Sequence, residues 1–360
     1  MIDQPSTPPA LPEPAPAAPA PAGQAGPTGT TAPTGQAAPA APARADATDV
    51  TDATAAVPRG SCPLGHGAGE AGSGGSAALA ESLRAAARSD DGYFGPDSVS
   101  WRVFADPATK LGGVAAVLLQ SLNPMMMRLF AETSDYATDI EGRGERTGLY
   151  LDTLVYGDRL HADAAAEAVN RLHANSVWTD PKTGQTLRAD NEEWLAWTHN
   201  CLIYGLLRAA DSFGLELTAA EQNRFIVEQH AAATLVGIEA PEYLPSTRAE
   251  LDDYIDDNRH WMALTLPAAE ISRSLRKPSL AGNPVTTWIT VNVQDGILSL
   301  LPDWALLLFG IEGRPMNLSA AAKTTRRIID SARKNSSTAD IIAEVTSRVE
   351  THPYRKARRA

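Results

Sequence analysis

The stretch Arg143-Gly-Glu-Arg146-Thr147 opens an apolar helix, and the next helical segment contains Arg171-Leu-His173-Ala174. Residues four apart lie on one face of a helix, so Arg143 and Thr147 share a face with apolar residues that follow. A buried arginine is costly unless it meets an anion, such as a propionate. A buried neutral histidine can bind iron. The two motifs together indicate a haem site in a helical protein.

An alternative reading of Arg143 is structural. A core-facing arginine can also be satisfied by a carboxylate of the same protein, and Glu132 and Glu141 lie nearby in the sequence. The motif alone favours neither reading.

The ends of the chain differ in composition from its middle. No aromatic residue precedes Tyr93, and 12 of the 26 prolines lie within the first 43 residues. Such a segment buries too little apolar surface to offset its chain entropy. We predict that residues 1–75 are a disordered tail that can be deleted without loss of the fold. Cys62-Pro-Leu-Gly-His66 is best explained as part of this linker.

Composition also limits the class of protein. Two cysteines exclude a disulfide scaffold, and a net charge of −12 argues against nucleic-acid binding. Arg355-Lys-Ala-Arg-Arg359 is explained as a solvated basic end. The sequence opens without early basic residues or a long aliphatic run, and its longest apolar stretch is too short to span a bilayer. We therefore expect a cytoplasmic protein with no integral membrane segment.

From residue 76 onward the apolar residues recur with helical spacing. This predicts an all-α fold: one large helical domain over residues 76–335, of about ten or more helices around a buried pocket, then a C-terminal helix and basic tail over 336–360. Turn signals include Asn123-Pro124, the polar hairpin-like loop 179–186 and Gly214. Val285 to Val293 has strand-like composition, but an isolated strand has no partner. The helices predicted from these signals are 77–88, 108–121, 124–132, 144–156, 162–176, 189–213, 218–235, 251–257, 264–275, 286–300, 302–309, 317–334 and 337–349.

Three histidines lie on inward faces of the predicted helices: His173, His199 and His230. His173 shares the predicted buried stripe of its helix with Ala165, Val169 and Leu172. For each one, a core histidine bonded to a neighbouring group is the ordinary explanation, and ligation of a metal or haem is the alternative. A di-iron site needs Glu-x-x-His motifs, and the predicted core has none. The carboxylate-poor interior therefore favours haem over a di-iron centre.

At this point the chain resembles the MpaB-type oxygenases, a family that includes the latex-clearing rubber oxygenases. The resemblance covers roughly residues 100–312. It rests on short motifs in a fixed order: Leu118-Leu-Gln-Ser-Leu-Asn-Pro124, Ser134-Asp-Tyr-Ala-Thr-Asp139, Gly142-Arg-Gly-Glu-Arg-Thr147, Tyr156-Gly157, Leu172-His-Ala174, Trp194-Leu-Ala-Trp-Thr-His199, Leu217-Thr218 with Glu221, Leu235-Val-Gly237, Leu244-Pro245 and Leu301-Pro-Asp-Trp304.

The resemblance implies an all-α fold with haem b and oxygenase chemistry on apolar, isoprenoid-like substrates. It implies that His173 is the axial ligand of the haem iron, whereas position on the helices alone leaves His199 as the alternative. It also implies that Arg143, Arg146 and Thr147 lie on the distal side. Arg146 stands where the rubber-oxygenase branch has a lysine, and arginine does not ligate iron.

The chain departs from the rubber-oxygenase pattern at the glutamate base. The corresponding stretch, Pro124 to Met127, contains no acid, and Glu132 is the nearest one. Met125–Met127 with Leu129 and Phe130 can form an apolar substrate wall or ordinary core. The missing base favours a second hypothesis, a non-catalytic haem or apolar-ligand binder. A third is a helical scaffold without haem.

Overall fold

A computed structural model describes residues 89–134, 140–275, 283–311 and 315–351. Several of the predictions lie outside these ranges. They are the tail over 1–75, the helix over 77–88, the Cys62–His66 segment and the basic cluster at 355–359. The C-terminal helix predicted at 337–349 lies inside them.

The described residues form an all-α fold, as the sequence predicts, with one small antiparallel hairpin. The hairpin consists of β1 (Val177–Thr179) and β2 (Thr186–Arg188), with Trp178 opposite Leu187. The helices in chain order are α1 (Val99–Ala105), α2 (Ala108–Gln120), α3 (Pro124–Thr133), α4 (Ile140–Tyr156), α5 (Arg159–Asn175), α6 (Glu192–Phe213), α7 (Ala219–Glu228), α8 (His230–Leu235), α9 (Arg248–Asp257), α10 (Leu266–Leu275), α11 (Pro284–Leu298), α12 (Asp303–Leu308), α13 (Pro315–Asn335) and α14 (Thr338–Thr351).

The centre of the fold is the packing of α2 against α6. Gly112 and Gly205 face each other across this interface, and a Cβ built on Gly112 would lie 2.6 Å from the carbonyl oxygen of Gly205. Only glycine allows two helix backbones to approach so closely. The largest apolar cluster surrounds this contact and includes the fully buried Leu207, Phe213 and Phe225.

Local sequence signals set several helix ends. Asn123 accepts hydrogen bonds from the N–H groups of Met125 and Met126, with Pro124 in the first turn of α3. The central helix α6 ends at Gly214, which has a φ of +82°. Thr218 and Glu221 form a reciprocal capping box on α7.

The structure also refines several predicted boundaries. The segment Val285 to Val293 is helical, in agreement with the all-α prediction. Helix α4 begins at Ile140 rather than at Gly144, and α6 begins at Glu192 rather than at Ala189, because Asn191 caps it. No single described helix is long and apolar enough to cross a membrane. The pair Ala108–Gln120 and Pro124–Thr133, bent by 98°, meets the length and composition criteria together.

Candidate functional site

The motif that begins at Arg143 lies on α4 and the motif that contains His173 lies on α5, and a two-residue turn joins these helices. Helix α4 ends at Tyr156 and α5 begins at Arg159, and the two helices pack against each other. Arg143 and His173 stand about 14 residues from the turn on either side, roughly 20 Å along the helices. We call the two helix ends that lie away from the turn, the first turns of α4 and the last turn of α5, the open end of the α4–α5 hairpin.

The turn itself is tightly built. A Cβ on Gly157 would overlap the carbonyl oxygen of Thr153 and would lie 3.1 Å from the Cβ of His161, so the turn requires glycine. Asp158 caps α5 by accepting from the backbone N–H of His161 at 3.0 Å and from its Nδ1 at 2.5 Å. Burial raises the pKa of the Asp158 carboxyl, but the hydrogen bonds from His161 and Ser89 outweigh it and hold the pKa well below its usual value.

Arg143 is half-buried and stacks on the ring of Phe130 from α3. Its Cζ lies 4.2 Å from the ring centroid. Arg146 and Thr147 are both exposed, so the expectation that Thr147 lies on a core-facing stripe is wrong for this structure. The reason is that the first turns of α4 reach past the main core, and only the later turns are buried, at Leu154, Val155 and Tyr156.

His173 lies in the last turn of α5 and is half-buried. Its Nδ1 is enclosed and has no hydrogen-bond partner among the described residues. Burial lowers the pKa of His173, and the charge of Asp190 partly opposes this shift. The imidazole is therefore neutral at neutral pH, the form that can ligate a metal.

The buried stripe predicted for α5 is only partly correct. Ala162, Ala165 and Ala166 are buried, but Leu172, expected on the same stripe as His173, is 64% exposed. The end of α5 therefore projects beyond the core, and His173 lies at the margin of the packed interior rather than inside it.

The β1–β2 hairpin closes over the end of α5. The N–H of Ala189 donates to the carbonyl of Ser176 at 3.0 Å, which brings the end of β2 beside the last turn of α5. Arg188 and Asp190 form a two-bond pair, with distances of 2.8 and 2.7 Å. The hydrogen bond from Arg188 lowers the pKa of Asp190, which keeps this carboxylate charged near His173.

Helix α3 connects the two halves of this region. Arg128 donates to the buried carboxylate of Asp180 at 2.6 Å, and its guanidinium lies 5.0 Å from the centroid of the Trp178 ring. These two contacts join α3 to the β1–β2 hairpin. Two residues later, Phe130 contacts Arg143. The open end of the α4–α5 hairpin is therefore linked through α3 to the hairpin that follows His173.

His199 lies in a different environment, in the middle of α6. It is buried, and its Nε2 has no hydrogen-bond partner in the described ranges. Burial lowers its pKa to about 3, and the neighbouring His230 adds to this effect. The third inward histidine, His230, donates from Nε2 to the carbonyl of Pro245 at 2.9 Å, as a structural core histidine does.

The donor set of this part of the chain fits haem better than a bare metal ion. The described ranges contain no cluster of three or more His, Cys, Asp or Glu side chains placed to hold a metal. A haem iron brings its own four ring nitrogens and needs only an axial donor from the protein. His173 and His199 are both neutral imidazoles with a ring nitrogen that has no described partner.

The predicted substrate wall divides into two sets. Met127 and Leu129 are buried, whereas Met125, Met126 and Phe130 are half-buried. Met127 packs against Ala268 and Ile271 of α10 in a small apolar cluster that also includes Phe130. The residues that sequence reasoning missed are Arg128, Trp178, Asp180, Arg188 and Asp190. Their signal was only the hairpin-like loop, which predicts a turn but not what the turn contacts.

The comparisons with known proteins give the family of this chain. The family model described as "ER-bound oxygenase mpaB/B'/Rubber oxygenase, catalytic domain" matches residues 101–330. The chain belongs to this family. The match includes the open end of the α4–α5 hairpin, the β1–β2 hairpin and His199, so all the candidate residues lie within an oxygenase catalytic domain. No curated protein and no solved structure matches the chain.

Proposed function

We propose that this oxygenase-family protein uses haem b and dioxygen to oxidise or cleave an apolar substrate, with unsaturated isoprenoids as the expected class. One observation carries the proposal. Within the matched catalytic domain, α3 contacts the cationic motif of α4 through Phe130 and Arg143, and it contacts the β1–β2 hairpin that follows His173 through Arg128 and Asp180. The cytoplasmic location stays a prediction.

His173 is the residue that we propose would hold the haem iron. It is neutral, and its enclosed Nδ1 lacks a described partner. It also lies at a helix end, where a large cofactor can reach it. His199 is also neutral and also has a ring nitrogen without a described partner, but its side chain is buried in the core. When bound, the haem iron would supply dioxygen binding and one-electron chemistry that no side chain provides.

Arg143 would act as a preorganised positive charge on the distal side. It is half-buried and held against Phe130, whereas Arg146 and Thr147 are exposed. A fixed cation in a dry site stabilises developing negative charge more strongly than a solvated one. We therefore assign the main electrostatic role to Arg143, with Arg146 and Thr147 supplying a further charge and a hydroxyl group.

The half-buried side chains of α3 are suited to an apolar substrate. Met125, Met126 and Phe130 lie next to the apolar cluster that α3 forms with α10. Methionine side chains adapt to irregular apolar shapes. The substrate would therefore be recognised by apolar contact rather than by charge.

A second candidate function is a non-catalytic haem or apolar-ligand binder. It is favoured by the stretch Pro124 to Met127, which has no carboxylate, and by the exposure of Glu132. Turnover that needs a carboxylate base at this site would be missing from such a protein.

The visible spectrum of the full-length protein tests haem binding directly, and oxygen consumption with an unsaturated apolar substrate separates the two candidates. Replacing Arg143 by Ala should leave haem bound and reduce turnover. If Arg143 instead neutralises a buried carboxylate, the same change should cost about 3–5 kcal/mol of stability. Unchanged turnover with a sharply lower melting temperature would contradict the catalytic assignment.

A further inference from the structure

The contact between Arg143 and Phe130 joins α3 to the first turns of α4. The guanidinium carbon lies 4.2 Å from the ring centroid. Two other arginine–aromatic pairs, Arg128 with Trp178 and Arg159 with Tyr93, are each at 5.0 Å. A distance near 4 Å is that of a guanidinium stacked on the ring face.

Phe130 is itself well fixed. It packs against Met127, Ala268 and Ile271, which join α3 to α10. Its backbone carbonyl also accepts a hydrogen bond from the Ser134 hydroxyl at 2.6 Å. The ring therefore packs where α3 meets α10.

We propose that Phe130 is a positioning residue for Arg143, and that its ring holds the guanidinium in the one plane in which Arg143 serves the site. This inference rests on the proposed function of Arg143. An arginine has several rotatable bonds and loses much freedom when it is fixed. A flat ring restricts it to one plane and leaves the N–H edge of the guanidinium to meet other groups.

The proposal separates two roles that Phe130 could have. As part of an apolar wall, Phe130 would act on the substrate, and leucine would largely replace it. As a plate for Arg143, it would act through its aromatic face, which leucine lacks and tyrosine keeps. The two roles therefore give opposite orders for the Leu and Tyr variants.

The experiment is a double-mutant cycle in the full-length, haem-loaded protein. It uses Phe130→Leu, Arg143→Met and the double variant, with Phe130→Tyr as the rescue. Phe104→Leu is the matched control, because Phe104 is also half-buried but stacks on Phe225 at 6.4 Å instead of on an arginine. We measure kcat and KM separately, the Soret band, and the folding equilibrium constant from denaturant titration.

We expect Phe130→Leu to lower kcat by up to about 100-fold, as a misplaced catalytic group does. The same change in the Arg143→Met background should have little further effect, and Phe130→Tyr should keep most of kcat. The cycle should also show a coupling of about 2- to 30-fold in the folding equilibrium constant, which is the usual range for a cation over a ring. Phe104→Leu should lower stability but keep kcat.

Independent effects of the two single changes, or a Tyr variant as impaired as the Leu variant, would overturn the proposal. Failure of the proposed function is seen separately, as a wild-type protein without a Soret band or turnover. In that case the folding cycle alone decides. No coupling between Phe130 and Arg143 would then show that the ring does not restrain Arg143, whereas coupling without turnover would make the contact a structural one and would also overturn the positioning role.

Discussion

His173 and His199 are chemically similar and structurally opposite. Each is a neutral imidazole with an enclosed ring nitrogen that has no described partner. His173 lies at the margin of the core, in the last turn of α5, beside the exposed Leu172 and the charged Asp190. His199 lies in the middle of the central helix, between buried neighbours on both sides. Burial keeps both side chains neutral, but only the marginal position gives a large cofactor access.

The sharpest test of this difference is haem binding. Replacing His173 by Ala should abolish the Soret band of the purified protein, because the change removes the side chain that we propose holds the iron. Replacing His199 by Ala should leave haem partly bound. A variant that loses haem only when His199 is changed would transfer the axial role to His199.

The second test concerns stability. Replacing His199 by Ala should lower the free energy of unfolding by about 2–4 kcal/mol, because the change opens a cavity in the core beside α6. The exposed His260 is the matched control, and its replacement by Ala should cost less than about 0.5 kcal/mol. Urea unfolding at pH 7.5 measures both. An equal, small effect of the two changes would contradict the central position of His199.

Much of this comparison could be predicted from the sequence, because the signals are local. The Asn123-Pro124 turn, the Thr218–Glu221 capping box and Gly214 each specify a helix end through neighbours within four residues. The apolar periodicity of α6 placed His199 inside the core correctly. The all-α class follows from the same short-range pattern.

The candidate site was less predictable because it depends on contacts that are remote in sequence. The 3.6-residue period placed Leu172 and Thr147 on buried faces, but it does not show where a helix leaves the core. The stacking of Arg143 on Phe130 and the approach of Asp190 to His173 depend on how α3 and the β1–β2 hairpin pack. No spacing rule relates these residues.

The third test uses pH. Burial lowers the pKa of His199 to about 3, against an ordinary value of 6.5. Between pH 6.5 and pH 3, His199 is therefore protonated in the unfolded chain but neutral in the folded chain. The stability that depends on neutral His199 is fully present above pH 6.5 and is lost as the pH falls toward 3. Between pH 7 and pH 5 the loss should be roughly 2 kcal/mol.

Replacing His199 by Leu should remove this component, so that the variant gains on the wild type as the pH falls. Urea midpoints at several pH values between 7 and 5 give the comparison, with His260→Leu as the control. If the wild type and the His199 variant lost stability equally over this range, His199 would not be the group that titrates.

The smallest expected effect concerns Asp190, which distinguishes the surroundings of His173 from those of His199. Its carboxylate is fixed by Arg188 at 2.8 and 2.7 Å and opposes the lowering of the His173 pKa by burial. A carboxylate near a ligating histidine raises the basicity of the imidazole and orients its ring.

Replacing Asp190 by Asn removes the charge and keeps the shape of the side chain. Because the Asp190 side chain is 34% exposed, solvent screens its charge, and haem affinity should fall by only about 3- to 10-fold. Titration of the apo-protein with haem measures this, and Glu167→Gln, which removes an exposed acid from the same helix as His173, is the matched control. If the two variants bound haem equally well, Asp190 would have no part in preparing His173 for the iron.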